Sequence, residues 1–145
     1  MTIRHLVLAG LATVVLSGSA LAGNNSVQIQ TGGIVNSASS TQRGPGLNTA
    51  VQVQQGRNNF ANIDQKGGVN IAGQAQFGRN NTANVNQKGL VNLSGQFQKG
   101  RNNTATSSQQ GVLNGAAIEQ HGRNNAAGTA QNGPFNFSDV KQFRH

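Results

Sequence analysis

The feature that most constrains the fold of this chain is an internal repeat. The string Gly-Arg-Asn-Asn occurs at 56–59, 78–81, 100–103 and 122–125, each time 22 residues after the previous copy. A second set of turn-like strings lies halfway between them, at 67–70, 89–92, 111–114 and 133–136. A short, fixed period predicts an architecture in which each repeat packs mainly on its neighbours. The elementary unit is therefore 11 residues long and occurs in two alternating versions.

Each unit reads Asn-x-(Ala/Ser)-x-x-x-Gln and is followed by a turn of the form x-Gly-x-x. The pattern extends upstream to units that begin at Asn48, Asn36 and Asn24, where the first two junctions each hold one extra residue. Eleven units thus occupy the chain from Asn24 to Gln142. We name each unit by its first Asn.

The repeated residues fall at every second position, which is the periodicity of a β-strand. Glycine tolerates the positive φ that a tight turn requires. The sequence therefore predicts an all-β fold, a two-sheet β-solenoid of cross-β type with about eleven 7-residue strands and about five and a half coils of 22 residues. The predicted turn glycines are Gly56, Gly67, Gly78, Gly89, Gly100, Gly111, Gly122 and Gly133.

The constant face of each strand is predicted to point inward. It carries the repeated amides and small residues such as Ala61, whereas the variable face carries Asp64, whose charge a dry interior would not tolerate. Rungs ~4.8 Å apart let identical amides hydrogen-bond into ladders, and the end rungs, which lack a neighbour, should recruit another molecule. The predicted self-assembly ladder consists of Asn59, Gln65, Asn70, Gln76, Asn81, Gln87, Asn92, Gln98, Asn103, Gln109, Asn114, Gln120, Asn125, Gln131, Asn136 and Gln142.

The first 22 residues are predicted to be a secretory signal peptide. Arg4 and His5 precede an apolar run over 6–16, and small residues lead to Ala22, after which cleavage is expected. Residues 23–145 would then form one secreted solenoid domain. The chain holds 20 Asn, 17 Gln and 20 Gly but no Cys, so it lacks the disulfides that stabilise many exported domains.

The formal net charge is +8, which indicates acidic partners or simply a charge that keeps the chain soluble during export. Four arginines of equal phase, Arg57, Arg79, Arg101 and Arg123, should form a column along one turn edge, called here the Arg column. Two interpretations stay open for it. It is either a strip for anionic polysaccharide, lipopolysaccharide or extracellular DNA, or a set of gatekeeper charges that slows premature aggregation.

Two apolar sets share a phase in the repeat. One is expected on the outer face of one sheet as a surface for bundling or surface contact, and we call it the outer apolar stripe: Val27, Ile29, Val51, Val53, Ile71, Leu93, Phe97 and Phe137. The other, the turn stripe, directly precedes Asn and is interpreted either as partly buried filler or as an exposed lateral contact: Leu47, Val69, Val91, Leu113 and Phe135. A weaker basic edge lies beside it, at Arg43, Lys66 and Lys88.

No catalytic, cofactor or metal site is predicted. Asp64, Glu119 and Asp139 lie in separate units, cysteine is absent, and Gly-Arg-Asn-Asn lacks the Lys-Ser/Thr of a phosphate-binding loop. The composition therefore does not predict an enzyme, and no small-molecule substrate is expected.

The segment from Gln76 to Gln87, Gln-Phe-Gly-Arg-Asn-Asn-Thr-Ala-Asn-Val-Asn-Gln, resembles the curlin repeat of curli fibre subunits, and the resemblance covers Asn24 to Gln142. It implies a structural subunit that leaves a bacterium through an outer-membrane export pore and polymerises with itself or other curlins. The implied setting is an extracellular amyloid fibre at the cell surface, with roles in adhesion and biofilm matrix. A minor nucleator that seeds a partner curlin, or a monomeric solenoid that binds polyanions, remains the alternative.

Overall fold

The computed structural model describes residues 13–19, 23–32 and 35–144. Within them the chain is all-β, and no helix is long and apolar enough to cross a bilayer. The strands are β1 (Thr13–Ser19), β2 (Asn24–Thr31), β3 (Ser37–Arg43), β4 (Asn48–Arg57), β5 (Phe60–Arg79), β6 (Thr82–Arg101), β7 (Thr104–Arg123) and β8 (Ala126–Phe143).

From β2 onward, all pairing is parallel and in register with the repeat. β3 pairs with the first half of β5 and β4 with its second half, while β5 to β8 pair over their whole length with a shift of 22 residues. The units therefore stack in two rows. Row A contains the Asn36, Asn59, Asn81, Asn103 and Asn125 units, and row B contains the Asn24, Asn48, Asn70, Asn92, Asn114 and Asn136 units.

The predicted parallel β-solenoid is confirmed, with about five turns. The strand count differs from the prediction of eleven, because each of β5 to β8 contains two units and hydrogen bonds continue through the turn between them. Glycines stack on glycines at this turn, as Gly67 does on Gly89, so the backbones of adjacent turns stay close enough to pair. The eight strands consequently form one continuous sheet rather than two separate ones.

The constant face of the units is the buried one, as predicted. Ala61, Ile63, Ala83 and Val85 are at most 1% exposed. Most of the other buried side chains are Asn and Gln, and the apolar cluster is confined to Ala50, Ile63, Ala72 and Val85. Because so little apolar surface is buried, the interior depends on hydrogen bonds between amides rather than on a hydrophobic core.

The amino-terminal strand departs from the repeat. β1 pairs with β2 in antiparallel orientation, on the edge of β2 opposite to β4. It belongs to the predicted signal peptide, whose start and cleavage point at Ala22 lie outside the described residues. While β1 is present, it covers an edge that every other repeat strand offers to another unit.

Candidate self-assembly surface

Glutamines at the last position of each unit form two continuous amide columns. In row B, Nε2 of Gln54 donates to Oε1 of Gln76 at 2.8 Å, and the same bond links Gln76, Gln98, Gln120 and Gln142 in turn at 2.9 Å. In row A the column runs through Gln42, Gln65, Gln87, Gln109 and Gln131 at 2.8–2.9 Å. Every donor points towards the carboxyl-terminal rung, so the columns are polar.

Asparagines at the first position form columns of opposite polarity. In row B, Nδ2 of each Asn donates to Oδ1 of the Asn one rung earlier, at 2.7–3.0 Å from Asn48 to Asn136. In row A the Oδ1 atom instead accepts the backbone N–H of the next Asn, at 3.1–3.2 Å from Asn59 to Asn125. Interior amides thereby satisfy both donor and acceptor along the stack, which makes their burial tolerable.

The predicted turn glycines lie at the turns and all have φ between +112° and +143°. A Cβ atom added at Gly78 would overlap the carbonyl oxygen of Gly100, one rung above, and the other interior turn glycines are equally close to the next rung. Gly133 differs, because the nearest atom to its Cβ position is Nδ2 of its own neighbour Asn136, at 3.3 Å. The last rung is therefore open where every earlier rung is covered.

Two sets of residues that the sequence analysis did not select also line up. Asn58, Asn80, Asn102 and Asn124 adopt left-handed φ of 54–57°, a conformation that Asn accepts more readily than most residues, and the side chains of the last three are linked at 3.1 Å. Gln52, Gln74 and Gln96 form a third amide column at 3.1 Å, which stops where Ile118 replaces Gln. A table of the residues at each phase of the repeat would have identified both.

The four members of the Arg column stack directly on one another in the parallel register, and all are exposed. None of them takes part in the ion pairs of the described residues, His121–Glu119 at 2.8 Å and Lys141–Asp139 at 3.5 Å. Lys66 and Lys88 pair in the same way at the other turn edge, where Gln110 ends the run of charge. The arrangement can present unpaired positive charge at a spacing of ~4.8 Å.

Both apolar sets lie at the surface. The turn stripe is exposed, from 38% at Val69 to 72% at Phe135, so its interpretation as partly buried filler is wrong. The outer apolar stripe lies on row B and is most exposed at Leu93 and Phe137, at 56% and 81%. Among the described residues there is no group of three or more His, Asp or Glu side chains that could hold a metal ion.

Residues 56–89 match the family described as the curlin associated repeat. No curated protein and no solved structure matches the chain. The matched segment contains the Asn59 and Asn70 units in full, together with the turns that flank them. The resemblance to the curlin family that the repeat predicts is thus confirmed.

Proposed function

We propose that this chain, which carries the curlin associated repeat, is a structural subunit that polymerises end to end into an extracellular fibre. One observation carries the proposal: hydrogen-bonded columns run through the whole stack and stop at both ends with complementary groups unused. The interior needs stacking to satisfy its amides, so an end rung is the least satisfied part of the molecule. Addition of a second copy supplies the missing partners.

The carboxyl-terminal end offers donors from glutamine and acceptors from asparagine. Nε2 of Gln142 donates to the carbonyl of Ala126 at 2.9 Å and keeps one hydrogen that has no acceptor among the described residues. Oδ1 of Asn136 likewise has no donor there, since Nδ2 of this residue is the atom that contacts Asn114, at 3.0 Å. Backbone groups of β8 that point away from β7 are also free to pair, because β8 is the last strand of the sheet.

The amino-terminal end offers the opposite set. Nε2 of Gln30 donates to Gln54 at 3.0 Å and that of Gln42 to Gln65 at 2.9 Å, which leaves the Oε1 atom of each ready to accept. Head-to-tail contact therefore joins donors to acceptors, whereas contact between two identical ends opposes donor to donor. A heterologous contact of this kind does not close on itself and generates a filament.

Residues 1–22 are proposed to be a signal peptide that is removed on export. β1 pairs along the edge of β2 that the preceding copy would use. Cleavage would uncover this edge only outside the cell, where fibres are proposed to form. Retention of the leader should then hinder elongation at the amino-terminal end.

Rows A and B are proposed to form two opposed layers around the amide interior. Bonds from a side chain of one row to a backbone carbonyl of the other support this layout, as in Nε2 of Gln76 to the carbonyl of Phe60 at 2.8 Å. The same bond type links Gln65 in row A to Thr49 in row B at 3.0 Å. The layers would lie as close as small side chains such as Ala61 and Ala72 permit.

The proposed setting is a bacterial surface fibre that supports adhesion and biofilm matrix, with other curlins and an outer-membrane export machinery as partners. The exposed Arg column supports a second proposal, the binding of anionic polysaccharide or extracellular DNA by the assembled fibre. Only the assembled state extends the column beyond its four residues, so fibres should bind polyanions more tightly than soluble chains.

A proline at the open edge tests end-to-end polymerisation. Phe60, Thr82 and Thr104 donate their backbone N–H groups to the next rung at 2.8 Å, and Ala126 occupies the same position in the last rung, with no acceptor among the described residues. Proline removes this N–H but is tolerated on an edge strand whose N–H faces solvent. We expect Ala126→Pro to leave the strand content of the soluble chain unchanged and to abolish elongation from its own seeds, followed by dye-binding fluorescence and sedimentation.

Ala126→Ser keeps the N–H and is the matched control, which should elongate like the unsubstituted chain. The proposal is refuted if Ala126→Pro elongates at the control rate, or if the unsubstituted chain from Gly23 stays soluble with seeds. A chain that forms no fibres itself but shortens the lag of a different curlin would instead identify the nucleator alternative.

A further inference from the structure

One hydrogen bond recurs at every step of the chain, irrespective of row. Nε2 of the last Gln in each unit donates to the carbonyl of the residue after Asn in the preceding unit. Gln42 donates to Asn25 at 2.8 Å in this way, and Gln142 to Ala126 at 2.9 Å. All ten consecutive pairs of units make the bond at 2.8–3.1 Å.

The elementary step of the solenoid is therefore one 11-residue unit and not one 22-residue coil. Each step carries the chain from one row to the other and raises it by half a rung, about 2.4 Å. The described chain contains eleven such steps, an odd number. It consequently begins in row B, at the Asn24 unit, and ends in row B, at the Asn136 unit.

The recurring bond has one unused partner at each end. Gln30 has no preceding unit, so Nε2 of this residue contacts only Gln54, at 3.0 Å. The carbonyl of Phe137, which follows Asn136, accepts no side-chain amide among the described residues, whereas the equivalent carbonyls of the ten earlier units do. A second copy that continues the same step would join Gln30 to the carbonyl of Phe137.

Two head-to-tail arrangements are available. If both copies keep their rows aligned, the Asn24 unit lies on the Asn136 unit, and the Asn125 unit faces the next Asn36 unit across a gap one strand wide. If the second copy is turned by half a turn, its Asn24 unit lies on the Asn125 unit and its Asn36 unit on the Asn136 unit. Only the turned arrangement pairs both open strand edges, and unpaired edges inside a fibre are costly.

We propose, on the basis of the fibre function inferred above, that successive copies along the fibre are related by a rotation of about 180° around the fibre axis. Each copy then occupies ~26 Å and the structural repeat contains two copies, or ~53 Å. The Arg column and the outer apolar stripe change sides from one copy to the next. The fibre thus presents both surfaces on two sides, in alternating segments, and can make lateral contacts in two directions.

Engineered cysteines distinguish the two arrangements, since the chain has no cysteine of its own. Asn25, Ala126 and Phe137 are exposed and each directly follows the first Asn of its unit. In the turned arrangement Asn25 of one copy pairs with Ala126 of the previous one, and in the aligned arrangement it pairs with Phe137. Paired Cα atoms are ~4.8 Å apart, which suits a disulfide.

We expect oxidised fibres of Asn25→Cys/Ala126→Cys to give a ladder of covalent multimers on a non-reducing gel. Fibres of Asn25→Cys/Phe137→Cys should give no multimers beyond the dimers formed by the single-cysteine controls. A ladder from the second variant only, or fibres in which neither variant forms a ladder, would overturn the proposal.

A second set at independent positions guards against a local distortion. Val27 lies at the phase of Gly128 in the Asn125 unit and of Asp139 in the Asn136 unit. Val27→Cys/Gly128→Cys is expected to crosslink and Val27→Cys/Asp139→Cys is not, while the reverse result contradicts the half-turn. Absence of fibres from the unsubstituted chain would instead refute the fibre function itself, so the two failures are distinguishable.

Discussion

Replacement of Gly78 by alanine should strongly destabilise the stack. The Cβ atom would overlap the carbonyl oxygen of Gly100 and lie 3.0 Å from its carbonyl carbon. Relief of this overlap requires the two rungs to separate by roughly 1 Å, since unbonded heavy atoms prefer about 3.5 Å or more. The φ of Gly78, +126°, is also outside the range that alanine adopts readily.

The size of the effect follows from the bonds around this turn. Gln76 donates to Gln98 at 2.9 Å and Asn59 to the carbonyl of Gly78 at 3.3 Å, and a separation of 1 Å would lengthen both beyond 3.5 Å. Loss of two hydrogen bonds costs about 2 kcal/mol, and the strained backbone adds about 1–3 kcal/mol. A total of about 3–5 kcal/mol raises the critical concentration for fibre growth about 100-fold or more.

The assay is the concentration of soluble chain that remains at the plateau of seeded growth, measured after sedimentation. Gly73→Ala is the matched control, because no atom lies within 4 Å of its added Cβ and its φ is not positive. We expect the control to leave the critical concentration unchanged or slightly lower, since alanine is favoured over glycine within a strand. The reasoning is refuted if Gly78→Ala shifts the critical concentration less than about threefold relative to Gly73→Ala.

Three further predictions follow from the columns. Gln87→Leu removes the amide that contacts Gln65, Gln109 and the carbonyl of Ile71, so it should raise the critical concentration at least tenfold, whereas Gln110→Leu on the exposed face should change it less than twofold. Replacement of all four members of the Arg column by Gln should speed fibre growth and weaken binding of fluorescently labelled DNA severalfold at low salt; unchanged binding would exclude the polyanion strip. Threonine at four positions of the outer apolar stripe should reduce bundling in electron micrographs but not seeded growth, and loss of fibres altogether would contradict its assignment as a bundling surface: Val51, Ile71, Leu93 and Phe97.

Periodicity made the interior of this protein predictable. Because Ala61 and Ile63 alternate with Asn62 and Asp64 in every rung, a strand with this pattern has only one face that can be buried. The turn stripe was harder to place, since residues such as Val91 and Leu113 are apolar but lie where the chain reverses direction. A turn has no strand periodicity to separate its inner from its outer side, and the structure leaves these side chains in solvent.

The sequence by itself determined the all-β class, the 11-residue step, the inward face and the location of the turns, because each of these follows from spacing along the chain. Only the tertiary structure decided which atoms of the amides pair and in which direction. Those choices depend on the half-rung offset between rows, which places Nε2 of Gln65 beside the carbonyl of Thr49 and leaves Gln30 without an equivalent acceptor. An offset between opposed strands is a property of the closed coil, and no spacing within a single strand encodes it.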